Sequence, residues 1–155
     1  MGTTARSNRA RGAAVTAPDP RAIWQARDLL SRADELVGQA VATTDHLERF
    51  RLLYVAALRG AGAALAVREN PGARRTSNSA WARLPRAVPS LAAAASYFAG
   101  MSRLRSDIEA GLDRTIGHAD IVDIEGRVRG LLDDVDAVIT DYERGVRHDQ
   151  VARSA

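Results

Sequence analysis

Apolar residues recur along most of this chain at alternating spacings of three and four, the repeat of a helix with one buried face. Ile23, Ala26, Leu30, Ala33, Val37 and Ala40 form the first such stripe. Pro20 opens it, since a first-turn proline lacks only an N–H that would have no partner there. Leu47, Phe50, Tyr54, Leu58, Ala61 and Leu65 form a second stripe. Asp45, three residues before Glu48, gives it a capping-box-like entrance, and Asn70-Pro71-Gly72 stops it. After the polar, basic segment "ARRTSNS" a short helix is predicted around Ala80 to Leu84, and Pro85 and Pro89 interrupt the chain. The next helix starts near Ser90, buries Leu91, Ala94, Phe98, Met101, Leu104 and Ile108, and ends at Gly111. The last runs from His118 or Asp120 to about Val146, and Ile121, Ile124, Val128, Leu131, Val135, Val138 and Tyr142 hold its rhythm longest.

No alternating strand pattern competes with these stripes. Four long helices and one short one predict an all-α fold, an antiparallel helical bundle, because each apolar stripe needs another to cover it. A chain of 155 residues suits one domain. The expected organisation is a disordered basic tail over 1–18, the bundle over 19–147 and a disordered tail over 148–155. Trp24, Tyr54, Trp81, Tyr97 and Phe98 all fall at core-like helical positions.

Composition narrows the chemistry. There is no cysteine, which excludes disulfides, thiolate zinc sites and cysteine nucleophiles. The longest apolar candidate, "LAAAASYFAGM" from Leu91, falls short of a membrane span, and "MGTTARSNRARGAAV" lacks the apolar core of a signal peptide, so a cytoplasmic location without membrane contact is expected. All 22 basic residues are arginine. The net charge of +3 is carried by residues 1–21, which hold four arginines against Asp19, so the rest of the chain is balanced overall.

Within that balance the charges separate. Residues 68–86 hold five arginines against Glu69, whereas residues 106–143 hold eleven acids against three arginines. Arg74, Arg75, Arg83 and Arg86 are therefore the candidate surface for RNA or a protein partner. The acidic last helix suits association with a partner of opposite charge.

Candidate sites with chemistry are few. His46, His118 and His148 are far apart in sequence and lack the Glu-x-x-His spacing of bundle metal sites, so neither metal nor cofactor is expected. Gly60 and Gly62 lie inside a helical stripe with no strand before them, which reads as close helix approach and not as a phosphate loop. Arg114 and His118, in "GLDRTIGHADIVDIEG", could cleave RNA, with His118 moving a proton at a ribose hydroxyl while Arg114 holds the phosphate. The plainer reading is that Arg114 favours the carbonyl end of one helix while Asp120 and Asp123 charge the first turn of the next.

The segments "WQARDLLSRADELV", "ERFRLLYVAALRGAGAAL", "WARLPRAVPSLAAAASYFAG" and "RSDIEAGLDRTIGHADIVDI" together resemble a HEPN domain of the small, single-domain actinobacterial type, from about Pro20 to Tyr142. The resemblance implies an often dimeric helical bundle in a family that holds metal-independent ribonucleases of toxin and defence systems beside non-catalytic RNA-binding or regulatory members. Catalytic members carry Arg, about four to six residues, then His, at the entrance to a late helix. Here only three residues separate Arg114 from His118, and Arg144 and His148 repeat that short spacing at the far end of the last helix. The expectation is a homodimeric, non-catalytic RNA- or protein-binding module, with a ribonuclease using Arg114 and His118 as the alternative.

Overall fold

A computed structural model of the chain describes residues 18–75, 77–112 and 115–154, and at 146–150, 152 and 153 it describes the backbone alone. It contains α1 (Pro20–Ala42), α2 (His46–Arg68), α3 (Ala80–Ala87), a single 3-10 turn (Pro89–Leu91), α4 (Ala92–Glu109) and α5 (His118–Ser154). Among the described residues there is no strand. The fold is the expected all-α bundle of four long helices and one short one.

Local chemistry sets the helix ends. The Asp19 carboxylate accepts from the Arg21 N–H at 2.9 Å, and Asp45 accepts from Glu48 N–H at 2.8 Å, each satisfying a donor left open at a first turn. α4 closes in a left-handed cap. Gly111 has φ +75°, its N–H donates to Ile108 O, and Leu112 N–H donates to Asp107 O.

α2 is the centre of the molecule, touching α1, α3, α4 and α5. Its sequence stripe understates its burial: besides Phe50, Tyr54, Ala61 and Leu65, it buries Leu52, Leu53, Ala56, Ala57, Gly60, Ala63, Ala64 and Val67. By length and composition α2 alone among the described residues is apolar enough to cross a membrane, and two-thirds of the relevant window is enclosed by the other helices. Its apolar surface is thus bundle core. Gly60 lets α5 approach, because a Cβ there would come within 2.5 Å of a Leu132 methyl.

Four expectations change. Trp24 is 78 % exposed. It precedes Ala26 by two residues, about 200° around the helix, which turns it away from the buried row Ala26, Leu30, Ala33, Val37 and Ala40. Leu47, placed in the stripe of α2, is also exposed, one residue inside the helix where no neighbour covers it. Pro85 does not interrupt α3, which continues to Ala87. One missing hydrogen bond is tolerated because Trp81 and Leu84 anchor the short helix in the core. Finally, α5 extends past Val146 to Ser154, through residues 148–154 that composition assigns to a tail. No proline or glycine follows Gly145 to stop it.

Candidate functional site

The arginines at the end of α2 are brought together by a turn. Beyond Arg68 the chain becomes extended at Glu69 and folds back at Asn70, whose carbonyl accepts from Ala73 N–H and whose side-chain oxygen accepts from Gly72 N–H at 2.9 Å. α3 then returns along α2. Its buried Trp81 donates from Nε1 to the Tyr54 hydroxyl at 3.0 Å and stacks on Phe98 with ring centroids 5.1 Å apart.

Between the end of α2, the loop and α3 lies a cleft of about 230 Å³, lined by Arg68, Arg74, Arg75, Arg83 and Arg86, with Glu69 the one acid. All four arginines named from the sequence line it, and the structure adds Arg68. The Arg83 Nη1 group donates to the Glu69 carboxylate at 2.7 Å, while its Nε is buried without a hydrogen-bond partner. The Arg68 guanidinium lies over the Tyr142 ring, 5.9 Å from its centroid. The Tyr142 oxygen in turn accepts from Asp19 N–H at 2.7 Å. Five arginines against one carboxylate in the lining concentrate positive potential in a concave, partly enclosed space.

The opposite end of the bundle holds two of the three histidines. Arg114 lies outside the described residues. His118 is the exposed first residue of α5, and beside it stands His46, the first residue of α2, with ring centroids 6.2 Å apart. The His46 Nδ1 is 3.2 Å from the Ile116 carbonyl oxygen, which makes Nδ1 the donor and leaves Nε2 for other partners. One turn further along α2, Arg49 faces Glu125 of α5 across 3.8 Å, and both the Arg49 Nε and the Glu125 Oε1 are buried without a hydrogen bond. Sequence reasoning missed the histidine pair. Seventy-one residues separate its members, and only the packing of α2 on α5 brings them together.

The entrance to α5 is acidic. Asp120 accepts from Gly117 N–H at 3.0 Å, and Asp123 accepts from the Tyr97 hydroxyl at 3.2 Å. Burial, reinforced by Asp123, pushes the Tyr97 hydroxyl up to about 12. Asp120 and Asp123 also line a cleft of about 300 Å³ over Tyr97, Met101, Leu104, Ile116 and Ile124. A phosphate entering there would meet carboxylates. Among the described residues no three His, Asp or Glu side chains gather into a metal site. At about 1.5 Å per residue, α2 holds His46 and Arg68 about 33 Å apart, so the histidine pair and the arginine cleft are separate sites.

No curated protein and no solved structure matches the chain significantly. A family model described as SAV_6107-like HEPN matches residues 40–136, which include α2, α3, α4 and the first half of α5. That span is more than half of the 155 residues, and the chain belongs to the SAV_6107-like HEPN family.

Proposed function

We propose that this HEPN protein is a non-catalytic RNA-binding module that grips phosphate through the arginine cleft. One observation carries the reading: arginines from α2, the following loop and α3 line a single concave surface with Glu69 as its one acid. Guanidinium is the side chain best matched to phosphate oxygens, which it holds with two parallel hydrogen bonds. The acidic entrance to α5 and the short spacing from Arg114 to His118 support a role without cleavage.

Titration of labelled single-stranded RNA at two salt concentrations tests this. Each phosphate contact on a single strand contributes a slope of about −0.7 in log K against log salt. Four contacts give about −2.8, a weakening of about fifty-fold between 50 and 200 mM salt. Arg74→Ala with Arg75→Ala should halve the slope, leaving a weakening of about seven-fold. Undetectable binding, or binding indifferent to salt, refutes the reading.

A second reading, a metal-independent endoribonuclease, is favoured by the approach of His46 to His118, since two imidazoles can divide the roles of acid and base. Cleavage of mixed RNA by the wild type, lost in His118→Ala, would establish it. Equal absence of cleavage in both removes it.

A further inference from the structure

We propose that the arginine cleft takes the terminal phosphomonoester of an RNA strand in preference to an internal phosphodiester. The inference rests on the RNA-binding reading above and names the part of the strand that enters.

The first argument is shape. Guanidinium groups laid out as a stripe follow a backbone, whereas these surround a cleft of about 230 Å³. That is below the ~300–1,000 Å³ of pockets that enclose whole small molecules. A phosphate with part of its own ribose fits this space. An internal diester carries a ribose on both sides and needs more room beside the guanidinium groups.

The second argument is charge. Arginines exceed acids by four in the lining. A phosphomonoester presents three terminal oxygens and about −1.5 to −2 charges near neutral pH, whereas a diester presents two oxygens and one charge. The monoester therefore returns more in a lining this positive, and each added oxygen accepts a charge-assisted hydrogen bond.

The third argument is Arg83. Its side chain is only 15 % exposed. Its Nη1 is engaged by Glu69, and its Nε is shut away from water without an acceptor. Buried donors of that kind are uncommon in proteins. Glu69 thus fixes the Arg83 guanidinium in the cleft wall before any ligand arrives, and it is the charge of that group, not its enclosed Nε, that a phosphate would meet. Arg74 and Arg75 are exposed on the loop, where they can meet the diester that follows the terminal group.

The test uses the whole chain and one single-stranded RNA 12-mer in three forms: 5′-phosphorylated, 3′-phosphorylated, and hydroxyl at both ends. Fluorescence anisotropy should show at least one phosphorylated form bound about tenfold or more tightly than the dihydroxyl form. Arg83→Gln and Arg86→Gln, each checked for an unchanged melting curve, should bring that preference down towards unity while retaining weak binding. Adenosine 5′-monophosphate should compete only at concentrations well above the dissociation constant of the phosphorylated strand. Equal, measurable affinity for all three forms overturns this inference and leaves the RNA-binding reading standing. No binding to any form overturns both. Competition by the mononucleotide at the strand's own dissociation constant assigns the cleft to a free nucleotide and overturns the RNA terminus.

Discussion

Replacing Tyr54 by phenylalanine deletes one oxygen atom on which the placement of α3 depends. The Trp81 Nε1–H donates to that oxygen at 3.0 Å, with Trp81 5 % and Tyr54 3 % exposed, so bulk water cannot take its place. An unsatisfied buried donor costs about 1–3 kcal/mol. For a chain of this size each kcal/mol moves the melting temperature by about 2–4 °C, so Tyr54→Phe should melt about 2–12 °C below wild type. Thermal and urea denaturation of Tyr54→Phe, Trp81→Phe and the double variant complete a cycle. The two losses should fall short of additivity by about 0.5–1.5 kcal/mol, because the second substitution removes the orphan left by the first. A Trp24→Phe background leaves Trp81 as the remaining fluorophore, so its burial can be followed directly. Additive losses, or a Tyr54→Phe melting temperature within about 1 °C of wild type, would refute the reasoning.

Gly60→Ala should be nearly neutral, because a helix-propensity gain of about 1 kcal/mol is offset by displacing the Leu132 methyl 2.5 Å from the new Cβ. In a Leu132→Ala background the same change should stabilise by about 1 kcal/mol, read from urea midpoints. Arg27 donates to Glu143 at 2.8 Å, to Thr140 at 3.1 Å and to Asp136, tying α1 to α5. Arg27→Ala should cost about 1–2 kcal/mol in dilute buffer, and a loss that did not shrink in 1 M salt would count against an ionic tie. Tyr97 keeps its proton in the folded chain up to about pH 12, whereas an unfolded tyrosine releases it near 10. Between those values the unfolded chain holds fewer protons, so stability falls as pH rises through that window. Tyr97→Phe should flatten that part of the alkaline stability curve, measured by urea unfolding at stepped pH.

The helices were legible because a buried face imposes a period, and α5 shows this most plainly through Ile121, Ile124, Val128, Leu131 and Val135. The central place of α2 was less legible. A stripe read at i, i+3 and i+4 finds one face, whereas Ala56 and Ala63 are buried on the opposite one. Its Ala- and Gly-rich run with a single arginine, Arg59, was the available signal. Trp24 shows the converse, since a large aromatic side chain alone does not say which way its helix is turned.

The arginine cleft was partly legible. Clustering along the chain between residues 68 and 86 marked the basic segment, but its concavity arises from the turn at Asn70 and the return of α3. The pairing of His46 with His118 had no local signature. It depends on two helix entrances meeting at one end of the bundle, a relation fixed only by tertiary packing.

Arginine supplies every positive charge in the lining of the cleft, in a chain without lysine. Guanidinium groups stay protonated at any pH where a protein remains folded, so acidification or alkalinisation cannot weaken its cationic side. Side-chain amine acetylation, a common way to erase positive charge, has no target there. Amine-directed labels and cross-linkers will pass the cleft by, while dicarbonyl reagents selective for arginine should compete with its occupant. The positive charge of this surface is permanent, and only the charge of the ligand remains open to change.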